Sequence, residues 1–287
     1  MKKIKQVTIV GLGMMGASFA LALRRAQLVE RIVGVDVHAM VVKEACAKSI
    51  TDFATSSLAE GIKNADLVVL ATPVVKIMEL LKALAELKYT GFATDLGSTK
   101  KAVCDEAQRY AELKFVGSHP MAGSEMAGIP GANVRLFENA PVIMTPLRHT
   151  SVEAIEVVTN LWKQLKARVI VMDPEEHDFS VAVISHIPHV VSITTMNTAC
   201  ILADNREDVF SIMAGGFRDT TRIAGADPQM WRDIFLTNRT AVLQGIAEFK
   251  KQLCELEAAI NNEDGAQLTE ILSQAQCSRK RLVPPNQ

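Results

Sequence analysis

The sequence predicts an α/β protein, in which a doubly wound parallel sheet is followed by an all-α domain. Short apolar runs alternate with helical patterns as far as Asp173, and this alternation is typical of parallel sheets covered by helices on both faces. From Pro174 onwards only helical patterns occur. We therefore expect a first domain of residues 1–173 and a helical second domain of residues 174–287.

The strands of the first domain are expected where apolar and β-branched residues run together. The run at residues 7–10 lacks the alternation of a half-exposed strand, so it is expected to be buried on both faces. A helix after residue 150 is expected to begin with a capping box of Thr150 and Glu153. The other expected elements are strands at 31–36, 66–71, 92–95, 114–117, 141–144 and 168–172, and helices at 14–25, 39–48, 74–87 and 100–110.

The second domain is expected to contain helices at residues 175–203, 209–217, 231–260 and 265–281. Apolar residues recur in the third of these at the four-three spacing of a helix packed along another helix. The partner helix could belong to the same chain or to a second copy. Because a small helical domain has a limited core of its own, we expect a homodimer. The residues of this seam are Val242, Ile246, Phe249, Leu253, Leu256 and Ile260.

Composition and charge favour a globular protein of the cytoplasm. The formal net charge is −1, which favours no nucleic-acid or acidic-membrane partner. No run of about 18 apolar residues predicts a transmembrane helix, and the start of the chain lacks the apolar stretch of a signal peptide. The five cysteines are scattered without metal or redox spacing, so reduced thiols and no metal site are expected.

A glycine-rich turn follows the first expected strand and opens the first helix. Gly11 permits the tight turn, Gly13 lets a pyrophosphate approach the backbone, and Gly16 lets helix and strand pack closely. The unpaired N–H groups and the positive end of the helix dipole then face the phosphates. Cofactor contacts are expected from the whole turn: Gly11, Leu12, Gly13, Met14, Met15 and Gly16.

Asp36 ends the second expected strand, 20 residues after Gly16. An acidic side chain at this place accepts hydrogen bonds from the adenosine ribose and repels a 2′-phosphate. The combination with the glycine turn therefore predicts NAD, rather than NADP, as the cofactor. The alternative is a glycine turn with an unrelated surface aspartate.

Three later segments follow strands at the same edge of the sheet, where doubly wound folds bind their ligands. The first, Ala71-Thr72-Pro73, is expected to contact the cofactor. In the second, Ser98 could be a site residue, the N-cap of the next helix, or both. In the third, His119 is expected in a glycine-rich loop, extended by the proline that follows it. A hydride transfer from a carbinol needs a base for the hydroxyl proton, and a histidine suits that role.

The motif Gly117-Ser-His-Pro-Met-Ala-Gly-Ser-Glu125 resembles the central motif of the prephenate and arogenate dehydrogenases. Three later segments occur in the same order and spacing as in that family: Glu176-His-Asp178, Ser185-His-Ile-Pro-His189 and Gly215-Gly-Phe-Arg-Asp-Thr-Thr-Arg-Ile-Ala224. The resemblance covers nearly the whole chain. It departs from many relatives in that no regulatory or chorismate mutase domain is present in this sequence.

The resemblance implies oxidation of a cyclohexadienyl substrate with loss of carbon dioxide, which converts prephenate into 4-hydroxyphenylpyruvate. His119 would take the proton of the ring hydroxyl, and Ser98 would hold that hydroxyl or orient His119. Arg222 would bind a substrate carboxylate, unless it forms a structural salt bridge instead. The other implied substrate-site residues are His189, His186, Glu125, Asp219 and Trp231, and Trp231 could come from a second subunit. His177 is a further candidate, and both His177 and His186 could instead be satisfied histidines inside the helical domain.

Three alternatives compete with this interpretation. Arogenate carries an ammonium where prephenate carries a keto group, and the sequence does not decide between them. A β-hydroxyacid dehydrogenase or imine reductase has a similar layout but leaves His119 unexplained. A non-catalytic NAD-binding protein would need the glycine turn and Asp36, but not His119 and Arg222 together.

Overall fold

The computed structural model describes residues 4–123, 126–204, 206 and 208–282. The chain divides into two compact units, Met1–Arg239 and Thr240–Gln287. The first unit contains the whole sheet and the helices that follow it as far as residue 239. The expected boundary at residue 173 remains a prediction.

The first unit is built on a sheet of eight strands, as expected for a doubly wound α/β fold. Their order across the sheet is β3-β2-β1-β4-β5-β6-β7-β8. Every neighbouring pair is parallel except β6 and β7. The strands are β1 Gln6–Val10, β2 Arg31–Val35, β3 Phe53–Thr55, β4 Leu67–Leu70, β5 Phe92–Asp95, β6 Lys114–Pro120, β7 Pro141–Pro146 and β8 Arg168–Val171.

One neighbouring pair, β6 and β7, is antiparallel in the otherwise parallel sheet. A parallel neighbour needs a crossover, usually a helix, to bring the chain back to the starting edge. Between Pro120 and Pro141 the described residues contain only the short 3₁₀ helix Ile129–Gly131. The chain therefore re-enters the sheet in the opposite direction. The three-residue edge strand β3 was not expected, because it is too short to show a period.

Helices cover both faces of the sheet and enclose two apolar clusters. On one face Phe19 and Phe137 meet Trp162 edge-to-face, with ring centroids 5.2 and 5.3 Å from the indole. On the other face Ile77 and Phe115 belong to the second cluster. The helices of this part are α1 Met14–Arg25, α2 Ala39–Ala47, α3 Leu58–Gly61, α4 Val74–Glu86, α5 Lys101–Ala107 and α6 Val152–Gln164.

The expected capping box at the start of α6 is wrong by one residue. Ser151 is the N-cap, and its Oγ accepts the N–H of Ala154. The Thr150 hydroxyl instead accepts the N–H of Leu147 and donates to the carbonyl of Phe115. Thr150 therefore attaches this loop to β6.

Helical structure continues without a break from α7, Pro174–Val181, through a π-helical turn, Ala182–His186, into α8, Ile187–Ala203. The π turn was not expected, although its cause is in the sequence. Pro188 has no N–H, and its ring crowds the carbonyl four residues earlier, so the helix widens there. By length and composition alone, this run is the one described stretch that could cross a membrane, but it also buries His177, Asp178 and His186.

The remaining helices of the first unit are α9 Asp208–Ser211, α10 Gly215–Thr221 and α11 Pro228–Thr237, with a 3₁₀ helix at Arg222–Gly225. The expected helix 231–260 is interrupted, because Asn238 lies between α11 and α12, Arg239–Asn261. The second unit consists of most of α12 together with α13, Gly265–Leu282. In the single chain, Leu253 and Ile260 of the expected seam are 52% and 59% exposed.

Candidate active site

The glycine turn has the geometry that a dinucleotide requires. Gly11 has a φ of +94°, and a Cβ there would lie 2.6 Å from the carbonyl oxygen of Ala71. A Cβ at Gly16 would lie 1.9 Å from the Gly11 carbonyl oxygen, so α1 could not approach β1 with any larger residue. A Cβ at Gly13 would meet no atom within 4 Å. The turn is therefore tightly packed at Gly11 and Gly16, where it contacts the sheet, and open at Gly13.

Asp36 is attached to this turn by its carboxylate. Oδ2 accepts the N–H of Leu12 at 2.9 Å, and Oδ1 accepts the N–H of His38 at 2.9 Å. Two carboxylate oxygens offer about four acceptor positions, so others remain for a ligand hydroxyl. The half-buried Asp36 thus lies beside the open face of the turn.

The segment after β4 forms the neighbouring wall, since Ala71 and Thr72 are the closest residues to Gly11. Thr72 Oγ1 is buried and has no hydrogen-bond partner among the residues that the structure describes. Buried hydroxyls normally have a partner, so this atom is suited to bind a ligand or an ordered water. The open glycine, the held carboxylate and this hydroxyl together fit a bound dinucleotide.

His119 lies on β6 and not in a loop, which corrects the expectation. It pairs with Ile143 of β7 in the antiparallel ladder. Its Nδ1 lies 2.8 Å from Nε2 of His177, and Nδ1 of His177 lies 2.7 Å from Oδ1 of Asp178. The residue is thus held by a strand and by a buried hydrogen-bond chain from α7.

Asp178 determines the direction of this chain. Its carboxylate also accepts the backbone N–H groups of Lys100 at 2.7 Å and Lys101 at 3.0 Å, at the start of α5. An ionised carboxylate can only accept, so His177 must donate from Nδ1 and accept at Nε2. His119 then donates from Nδ1. Its Nε2 carries no hydrogen and is the available base.

Electrostatics keep these imidazoles neutral. Burial, the neighbouring His177, Lys100 and His186 together hold the pKa of His119 well below its usual value. Burial also lowers the pKa of His177, although the hydrogen bond to Asp178 opposes the shift. His119 is therefore in its neutral, proton-accepting form at neutral pH.

Ser98 is not the N-cap of α5, so this alternative is wrong. The cap position is Lys100, and the Asp178 carboxylate binds the first N–H groups of the helix in place of a local side chain. Ser98 itself is half-buried, in the turn between β5 and α5. Its expected role in the site remains a prediction.

His186 and His189 form an aromatic group with Trp231 of α11. The rings of His189 and Trp231 stack at 3.5 Å with an angle of 4°, and His186 meets the same indole edge-on at 5.8 Å. His186 Nδ1 accepts from the amide of Asn238 at 3.2 Å, whereas His189 Nδ1 is buried and has no hydrogen-bond partner in the described part of the chain. Burial lowers the pKa of both histidines to about 4. Trp231 thus meets histidines of its own chain.

Arg222 and Asp219 lie in a different environment. Arg222 is exposed on the 3₁₀ helix that packs against α8, and Asp219 is exposed on α10. Glu125, the remaining expected substrate-site residue, lies outside the described residues. Within residues 4–123, 126–204, 206 and 208–282, no three His, Cys, Asp or Glu side chains are grouped as metal ligands.

Four residues around the site were not among the expected ones: Asp95, Lys100, Asp178 and Asn238. All four are buried polar side chains. A signal for Asp95 existed, since it ends an expected strand of the sheet and charged residues are rarely fully buried unless they are paired. Asp178 belongs to the segment Glu176-His-Asp178, in which the sequence pattern assigns no role to the aspartate.

Comparison with known proteins identifies the family. The nucleotide-binding domain of prephenate dehydrogenase matches residues 19–171, and the dimerization domain of prephenate dehydrogenase matches residues 173–274. The chain belongs to the prephenate dehydrogenase family. The two matches together cover most of the chain, and the first of them assigns residues 19–171, which include strands β2 to β8, to nucleotide binding in this family.

Relatives and solved structures of the family are similar over nearly the whole chain. The prephenate dehydrogenase of Bacillus subtilis is 36% identical over 96% of this chain and 76% of its own length. The cyclohexadienyl dehydrogenase of Zymomonas mobilis is 33% identical over 98% and 97%. The Aquifex aeolicus prephenate dehydrogenase, solved with hydroxyphenyl propionate and NAD+, superposes with a TM-score of 0.92 at 35% identity and covers 98% and 99%.

Proposed function

We propose that this dehydrogenase oxidises prephenate with NAD and releases carbon dioxide, which forms 4-hydroxyphenylpyruvate in tyrosine biosynthesis. The observation that carries the proposal is the hydrogen-bond chain from Asp178 through His177 to His119. It leaves one bare imidazole nitrogen on β6, at the carboxyl edge of the sheet, where doubly wound folds bind substrate beside the cofactor.

NAD is the expected cofactor. The open Gly13, the carboxylate of Asp36 and the unpartnered hydroxyl of Thr72 would hold its pyrophosphate, ribose and nicotinamide ends. When bound, it supplies the nicotinamide ring that accepts a hydride. A 2′-phosphate beside the Asp36 carboxylate would be repelled, which favours NAD over NADP.

His119 acts as the general base. Its Nε2 takes the proton of the ring hydroxyl while the C–H hydrogen of the same carbon would leave as the hydride for which NAD is the acceptor, so that the C–O group becomes a carbonyl. Loss of the ring carboxylate as carbon dioxide then leaves its bonding electrons in the ring and gives a phenolate, which takes up a proton to become the phenol. Asp178 and His177 keep the second ring nitrogen of His119 protonated, so that Nε2 stays available. Ser98 holds the same hydroxyl or orients His119.

The rest of the substrate is expected to contact the helical part of the unit. Arg222 binds a carboxylate, because a guanidinium matches that group with two parallel hydrogen bonds. His189, with its unpartnered buried Nδ1, faces the side chain. Asp219 and Trp231 contribute to a polar gate, while His186, already bonded to Asn238, positions Trp231.

The alternative substrate is arogenate, or both compounds. The Zymomonas mobilis relative named cyclohexadienyl dehydrogenase supports this alternative. A non-catalytic NAD-binding protein would have no use for the buried chain that ends at His119.

A homodimer in the cytoplasm is the expected form. The match to a dimerization domain and the exposed Leu253 and Ile260 support it. Sedimentation of the purified protein at micromolar concentration should give twice the chain mass. Leu253→Glu should shift the protein toward the monomer, whereas the exposed-site change Gln252→Glu on the same helix should not. A wild-type monomer would contradict the proposal.

The function is tested by absorbance at the reduced-nicotinamide band, with NAD or NADP and with prephenate or arogenate in all four pairings. Rapid reduction of NAD with prephenate alone is the expected result. Turnover with arogenate would keep the mechanism and change the substrate. No turnover in any pairing would contradict the proposal.

A further inference from the structure

Asp95 and Lys100 form an ion pair that is completely enclosed by the protein. Both side chains are 0% exposed, and the Lys100 ammonium contacts Oδ2 of Asp95 directly. Such a pair is a doubtful source of stability, because two charges lose their hydration when they are buried. Its position next to the expected catalytic residues indicates another role.

The Asp95 carboxylate holds the two segments that carry Ser98 and His119. Oδ2 accepts the N–H of Gly97 at 2.9 Å, and Gly97 directly precedes Ser98. Oδ1 accepts the N–H of Ser118 at 3.0 Å, and Ser118 directly precedes His119. The regular β5–β6 ladder ends at Thr94 and Val116. The carboxylate therefore continues the attachment of the two strands beyond the end of the ladder.

Lys100 joins this attachment to the hydrogen-bond chain behind His119. Its ammonium binds Asp95, while its backbone N–H donates to Asp178 at 2.7 Å. Asp178 in turn orients His177. Lys100 thus connects two carboxylates. Asp95 holds the backbone directly before His119, and Asp178 determines the tautomer of the His119 ring through His177.

Two glycines make the space that the pair occupies. A Cβ at Gly97 would lie 2.8 Å from Asp95 Oδ2 and 3.4 Å from Lys100 Nζ. A Cβ at Gly117 would lie 2.4 Å from Thr145 Oγ1 and 3.4 Å from Lys100 Cδ. The backbone therefore wraps closely around the lysine from both segments.

We infer that Asp95 and Lys100 are positioning residues, which together hold Ser98 and His119 in the geometry needed for proton transfer. The inference rests on the proposed function, since it assigns a task to groups that serve the same reaction. The Asp95 side chain accepts from Gly97, Ser118 and Lys100 at once, so one carboxylate links the two segments to the lysine.

The variant that tests this is Lys100→Met with Asp95→Asn, which removes both charges and leaves no buried charge unpaired. The matched control is Lys82→Met with Glu86→Gln, an exposed pair on α4 with its N and O atoms 3.8 Å apart. We expect kcat per folded protein to fall about 10- to 100-fold, because small displacements of a catalytic base are costly. The Michaelis constant for prephenate should change less, and the control should be unchanged.

A second measurement separates positioning from a merely structural role. The charged and titratable groups around His119 are His177 and Asp178 of α7, Lys100 before α5, His186 of the π turn and Asp95 of β5. Removing the Lys100 charge should raise the pKa of His119. The NMR titration of the His119 ring, assigned with His119→Asn, and the acid side of the kcat/KM profile should therefore both move to higher pH.

The outcomes are distinct. If the folded double variant keeps the kcat and the His119 titration of the wild type, the inference is overturned. If wild type turns over neither substrate, the proposed function fails, while the titration still tests the pair. Should the double variant not fold, Gly97→Ala replaces it: it retains both charges but displaces Asp95, so kcat should fall, whereas Gly265→Ala, whose Cβ meets nothing within 4 Å, should not change it.

Discussion

His119 is held from behind by buried polar groups, whereas Arg222, proposed to bind the other end of the substrate, lies on an exposed 3₁₀ helix. Buried polar atoms need partners, so His177 and Asp178 define one position and one tautomer for the base before any ligand arrives. An exposed guanidinium exchanges partners with water at little cost. The proposed base is thus preorganised, while the proposed contact of Arg222 with a carboxylate would be completed only on binding.

The largest expected effect is that of His119→Asn. Without Nε2 as a base, kcat should fall about 100- to 10,000-fold, the range that general-base catalysis contributes. Affinity for NAD, measured by fluorescence titration, should be retained. His149→Asn, a change of an exposed histidine, is the control. If the variant at position 119 retains wild-type kcat, His119 and its buried hydrogen-bond chain are not part of the mechanism.

Asp178→Asn should have the next largest effect. The new amide can donate to Nδ1 of His177, which reverses the chain and places the hydrogen on Nε2 of His119. We expect kcat to fall about 100-fold or more, as when an orienting aspartate of a catalytic triad is replaced. Asp173→Asn, at the N-cap of α7, is the matched control, because asparagine caps a helix equally well. Equal kcat in both variants would show that the tautomer is not controlled here.

Arg222→Gln tests the proposed contact between the exposed Arg222 and a substrate carboxylate. Loss of a charged hydrogen bond to a carboxylate should raise the Michaelis constant for prephenate about 10- to 100-fold with little change in kcat. Arg218→Gln, four residues earlier and also exposed, should leave both constants unchanged. A large loss of kcat without a change in the Michaelis constant would mean that Arg222 is organised like the base.

The smallest effect concerns stability. The pKa of His186 and His189 is lowered to about 4 in the folded state, so the unfolded chain binds more protons between about pH 4 and the ordinary histidine pKa of about 6.5. The free energy of unfolding should therefore decrease as the pH falls below about 6.5. Urea unfolding at pH 7.5 and 5 measures it, and His189→Phe should reduce the dependence. Equal stability at both pH values would argue against neutral, buried histidines.

Much of this fold is predictable because its signals are local. The helix Met14–Arg25 and the strand Phe92–Asp95 have the expected bounds, since the period of their apolar residues is complete within each element. The predictions from sequence are wrong where a contact between distant residues determines the local structure. The first N–H groups of α5 are bound by Asp178 on another helix, and the direction of β7 depends on the connection that follows β6.

The sequence by itself determined the glycine turn with Asp36, the alternation that makes a doubly wound sheet, and the presence of His119 in a family motif. These features depend on the type of residue and on short spacings, so one linear pattern contains them. The tertiary structure decided what His119 can do. Its tautomer depends on residues 58 and 59 positions away, and its position depends on an ion pair enclosed between β5, β6 and α5. Hydrogen bonds over such separations form only when the chain has folded.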